Sequence, residues 1–108
     1  MKYLHIILLL AVMAIPAVSQ EAPTFDAERA WDYLTAQCDF GPRNPGSEGH
    51  RQCGDYLMAE LKKFTDRVRT QPFTFTDKRL QETYEMRNII ADFGPAEGKK
   101  IILCAHWD

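Results

Sequence analysis

Ile101-Ile102-Leu103-Cys104-Ala105 is apolar at every position and runs straight into His106-Trp107-Asp108. This run constrains the chain more than any other feature. A strand that faces water on one side alternates apolar and polar residues. A strand without alternation is a central one, covered on both faces by helices. The run therefore predicts an α/β architecture, with a strand over Lys99–His106 that needs partners on both sides. In open α/β sheets, ligand-binding groups gather at the carboxyl ends of such strands. His106, Trp107 and Asp108 occupy that place.

The preceding segments fit the same class. Asp26 is placed to cap a helix over 27–38, with Ala27, Ala30, Trp31 and Leu34 on its apolar side. Phe40-Gly41-Pro42-Arg43-Asn44-Pro45-Gly46-Ser47 is an irregular loop rich in Pro and Gly; Arg43 reads as a loop surface charge, with pinning of the loop as the alternative. Ser47 caps a second helix reaching to about Phe64, with Tyr56, Leu57, Leu61 and Phe64 as its stripe. His50, in the polar first turn, is expected to face solvent. Beyond Thr65 the period changes to that of strands. An edge strand is expected over 67–76, kinked or bordered at Pro72. A polar connection follows over 77–84. Arg87–Phe93 and Lys99–His106, joined by the turn Gly94–Gly98, are expected to form an antiparallel hairpin. Trp31, Tyr56, Phe64 and Phe73 are expected in the core, and Cys104 as a small core residue.

The first nineteen residues read as an export signal. Lys2 precedes the apolar run Ile6–Ile15, Pro16 breaks it, and Ala17-Val18-Ser19 offers the small residues that precede cleavage. The run is about ten residues, against the about 20 that span a bilayer. The expected organisation is thus a signal peptide over 1–19, a loose lead-in over 20–25, and a domain portion over 26–108. An exported (periplasmic or secreted) location follows, with no stable membrane anchor. The oxidising compartment makes a disulfide between Cys38 and Cys53 possible; the third cysteine, Cys104, leaves the count odd. Thirteen Lys and Arg against fifteen Asp and Glu argue against a nucleic-acid partner.

His106 and Asp108 lie two apart, so in an extended segment they point to one side. A His can ligate a metal while a carboxylate orients it through the other ring nitrogen. Spacing alone carries little weight, and a polar strand end leading into a turn has the same pattern. Trp107 could wall a pocket or lie buried.

Four segments together carry a resemblance. The apolar strand with Cys104-Ala105-His106-Trp107-Asp108 resembles the first metal-site motif of the zinc aminopeptidase family that includes the glutaminyl-peptide cyclotransferases. Phe40–Ser47 resembles the loop those proteins carry before a helix, Cys53-Gly54-Asp55-Tyr56-Leu57 resembles that helix, and Arg87-Asn88-Ile89-Ile90-Ala91 resembles the following strand. The Trp within the His-x-Asp motif and the Gly-Pro-Arg loop are most similar to bacterial glutaminyl cyclases. The resemblance implies the N-terminal part of a three-layer mixed-sheet zinc-exopeptidase-like fold, zinc in the complete protein, and peptide or protein N-termini as substrate. It also implies that the catalytic acid and base and most zinc ligands lie downstream of Asp108. The 108 residues alone are then expected to be inactive and, with the Ile101–Ala105 run uncovered, prone to aggregate. In two-zinc aminopeptidases the residue matching His106 ligates zinc and the one matching Asp108 supports it. In one-zinc cyclotransferases the residue matching His106 need not touch metal. An exported interaction module without catalysis is the remaining alternative.

Overall fold

The computed structural model describes residues 21–108. The expected export signal over 1–19 lies outside the described residues. Helix α1 spans Ala27–Cys38, helix α2 Glu48–Lys62, strand β1 Val68–Asp77 and strand β2 Glu82–Ala91. Two helices followed by an antiparallel hairpin make the chain α/β, as the sequence predicts.

Both helices begin on a side-chain cap. Asp26 accepts from the Arg29 amide at 2.9 Å. Ser47 accepts from the His50 amide at 3.1 Å and donates to the Pro42 carbonyl at 3.0 Å. Each cap satisfies a backbone donor that has no partner inside the helix, worth about 0.5–2 kcal/mol. The loop between the helices is tied at both ends. Arg43 Nη1 donates to the Gln37 carbonyl at 2.5 Å, so it pins the loop rather than standing as a plain surface charge. Gly46 turns with φ +81°, and a Cβ there would stand 3.0 Å from the Tyr84 ring. The loop therefore rests on both the helix before it and the strand beyond it.

The hairpin differs from the expected one. Strand β2 pairs with β1, not with Lys99–His106, in a register running from Val68 opposite Ala91 to Asp77 opposite Glu82. The polar stretch 77–84 expected as a connection is half strand, and its turn is confined to 78–81. The reason is local. Asp77 Oδ1 accepts from the amides of Arg79 at 2.8 Å and Leu80 at 3.2 Å, and Gln81 takes φ 57°. That side-chain turn closes the chain at once and sets a register for ten residues on each side. Pro72, which has no N–H to donate, is accommodated opposite Arg87.

Residues 99–108 form no regular structure, so the expected third strand is absent among the described residues. Ile101, Ile102 and Leu103 are 89%, 82% and 93% exposed. Cys104 is exposed too, against the expectation of a core position. Of the four aromatics expected in the core, Tyr56 is half-buried against Phe40 at 5.6 Å between ring centroids. Trp31 (66% exposed), Phe64 and Phe73 are not in a core. The buried positions are on α2: His50, Cys53 and Gly54. Cys38 at the end of α1 is exposed and Cys53 is buried; both are free thiols, so the possible bridge between them is not formed.

Candidate functional site

The buried side of α2 is where the chain's last residues return. His50 was expected in solvent, yet it is 6% exposed. Trp107 covers it, with ring centroids 4.5 Å apart and planes at 12°. Offset stacking of this kind adds about 0.5–1.5 kcal/mol to the area it buries. His50 Nε2 is buried and has no hydrogen-bond partner among the described residues.

One turn further along α2, Gly54 leaves room for two side chains at once. A Cβ at that position would stand 2.5 Å from Arg87 Nη2 and 3.0 Å from Trp107 Cη2. Arg87, on β2, donates through Nη2 to Asp55 Oδ1 at 2.7 Å and to the Arg51 carbonyl at 3.1 Å. Helix α2, strand β2 and the 104–108 segment are thereby joined at one point. A cavity of about 350 Å³ opens beside it, lined by Phe73, Met86, Arg87, His106, Trp107 and Asp108 among others.

His106 and Asp108 point to one another, as their spacing predicts. His106 Nδ1 lies 2.9 Å from Asp108 Oδ1. A carboxylate on that side makes Nδ1 the donor, the tautomer that in a neutral ring leaves Nε2 as the acceptor. The hydrogen bond from His106 holds the Asp108 carboxyl below the usual carboxylate range. His106 itself is 95% exposed.

Among the described residues, no three His, Cys, Asp or Glu stand together as a metal site. His106 with Asp108 behind it is one arm of such a site, not a site. Trp107, flanked by that pair, lines the cavity and is anchored through its ring on His50.

Sequence reading missed His50, Gly54, Asp55 and Arg87 as parts of this arrangement. The last three fall inside segments that carry the family resemblance, and that coincidence is the signal that could have found them.

Solved structures with the same local fold make the match specific. A leucine aminopeptidase precursor from Bacteroides thetaiotaomicron is 34% identical over 73% of this chain and 27% of its own, with a TM-score of 0.68. A Zn-dependent exopeptidase from Parabacteroides distasonis is 41% identical over 70% of this chain and 26% of its own, with a TM-score of 0.65. A glutaminyl cyclase from Bacteroides thetaiotaomicron is 36% identical over 64% of this chain and 23% of its own, with a TM-score of 0.60. Over this span the chain is similar to both zinc-dependent exopeptidases and glutaminyl cyclases. No family model matches the chain, and no curated protein does. The chain spans about a quarter of the length of these members of the zinc exopeptidase and glutaminyl cyclase family. No helix among its described residues is long and apolar enough to cross a membrane.

Proposed function

We propose that this chain is the N-terminal part of an exported zinc-dependent glutaminyl-peptide cyclotransferase, acting on peptides or proteins that begin with Gln. The observation that carries the reading is Trp107, the central residue of the His-x-Asp motif, seated on His50 beside the cavity that His106 and Asp108 line. Similarity to glutaminyl cyclases of Bacteroides thetaiotaomicron and Tannerella forsythia, at 36% and 39% identity, supports it.

Cyclisation moves the α-amine of the first residue onto its own side-chain amide carbon. The C–N bond of the ring forms, the amide C–N bond breaks, and ammonia leaves with the proton the amine gives up. A zinc ion supplies Lewis acidity toward the amide carbonyl when bound. The proton shuttle this needs would come from a carboxyl group beyond Asp108. Within this chain the contribution is shape. Trp107 gives an aromatic face at the cavity, and the Arg87–Asp55 pair holds β2 against α2 behind it.

A zinc aminopeptidase is the second reading, favoured by a specific observation. His106 offers a free Nε2 with Asp108 on its Nδ1, the form of a metal-ligating His and its orienting carboxylate. In that case His106 would hold one zinc.

The test is to count zinc in the complete translation product of the gene and follow ammonia release from a Gln-initiated peptide. One zinc per chain with chelator-sensitive ammonia release supports the cyclotransferase. Two zinc ions with hydrolysis of the first peptide bond and no ammonia release refute it.

A further inference from the structure

We propose that His50 is a positioning residue: its ring is the platform that seats Trp107 and thereby fixes where the His106–Asp108 pair stands. The seating is independent of any metal; its functional meaning rests on the reading of this segment as the edge of the catalytic site.

Three observations converge on it. First, nothing regular holds 99–108 in place, since this stretch has no helix and no strand. The apolar residues before the motif are out in solvent. The segment is held instead through Trp107, the half-buried residue of this stretch. Second, the contact is built on the α2 side rather than incidental. His50 is buried with its plane 12° from that of the indole, and Gly54 omits the Cβ that would push the indole and the Arg87 guanidinium away. Third, no hydrogen bond of the His50 side chain among the described residues explains its burial. Its Nε2 has no partner there, so burial costs free energy that a polar side chain avoids by facing water. What the ring does there is present a flat face.

Trp107 lies between His106 and Asp108 in sequence. Holding the indole fixes the backbone on both sides and so the geometry in which Nδ1 of His106 meets Asp108. Loosening the indole lets both flanking side chains wander.

The test uses the chain carrying Trp31→Phe, which leaves Trp107 as the sole indole among residues 1–108. Trp31 is exposed and takes no part in the site. In this background the His50 ring protons are expected to be shifted upfield by the indole, with nuclear Overhauser contacts to Trp107. His50→Ala is expected to raise the acrylamide accessibility of Trp107 several-fold. It should also lower the fraction of His106 carrying its proton on Nδ1, read from ring nitrogen shifts. His50→Phe, which keeps a flat face and drops both nitrogens, should restore both readouts. A variant that merely weakened the fold would not be rescued by Phe, and the helical content of each variant is checked by circular dichroism.

Absence of the upfield shift in the parent chain would overturn the proposal without any variant at His50. So would His50→Ala leaving Trp107 accessibility and the His106 tautomer unchanged, or failure of His50→Phe to restore them in a chain of native helicity. These readouts need no zinc. Failure of the zinc reading therefore leaves them standing, and their failure leaves that reading untouched.

Discussion

The Pro42 carbonyl oxygen stands 2.5 Å from where a Cβ on Gly49 would be, and the Phe40 carbonyl stands equally close. Both obstacles are backbone. They belong to a loop already fixed by Arg43 on one side and Ser47 on the other. Helix α2 can start where it does only because its second residue has no side chain.

Gly49→Ala should therefore cost stability despite the better helix propensity of alanine. The propensity gain is about 1 kcal/mol. Overpacking against fixed backbone costs about 1–3 kcal/mol. We expect faster amide hydrogen exchange over the loop and the first turn of α2. Slower exchange there would show that the loop gives way.

Arg87 joins α2 to β2 through Asp55 and the Arg51 carbonyl. Asp55 is more than half exposed, so the ion pair itself is worth about 1 kcal/mol or less. The bond to the Arg51 carbonyl adds about 1 kcal/mol. Arg87→Met should cost about 1–2 kcal/mol in local opening of α2 against the hairpin. Arg87→Lys should recover only part, because an ammonium cannot reproduce the guanidinium fork. Full recovery by Lys would mean that charge alone matters.

The hydrogen bond from Arg69 holds the Asp92 carboxyl below its ordinary range, with Arg67 and Lys100 acting in the same direction. For a carboxyl depressed in the folded state, the stabilisation is present above its ordinary unfolded value. It is lost as pH falls through the folded value. In acid titration followed by carboxyl carbon shifts, Asp92 should thus titrate below a free aspartate. Arg69→Ala should move the midpoint upward. An unchanged midpoint would mean that the Arg69 bond does not persist in solution.

Ile101, Ile102 and Leu103 present a continuous apolar face to water. Such patches drive association. Leu103→Lys should lower the self-association of the chain in sedimentation velocity without changing its helicity. A parent chain that sediments as a monomer at every concentration would contradict this.

The parts legible in the sequence were those set by neighbours along the chain. Asp26 and Ser47 cap because a short side chain reaches an amide three residues on, and that geometry needs nothing distant. His106 and Asp108 meet for the same kind of reason. The hairpin pairs β1 with β2 rather than β2 with the apolar run because turn chemistry at Asp77, not apolar density, decides the partner. Asp77 closes a tight turn between the two strands, and their register follows from it. His50 was misread because its cover, Trp107, comes from the far end of the chain. Trp31 was misread in the opposite sense: its spacing is that of a core helix, but nothing among the described residues packs over it.

Mass spectrometry of two peptides, one beginning with Gln and one with Leu, tests the central claim most directly. The peptides are incubated with the complete zinc-loaded translation product. The account predicts loss of ammonia from the Gln peptide, all peptide bonds intact, and an unchanged Leu peptide. Release of the first residue from the Leu peptide, with the Gln peptide left uncyclised, would contradict it.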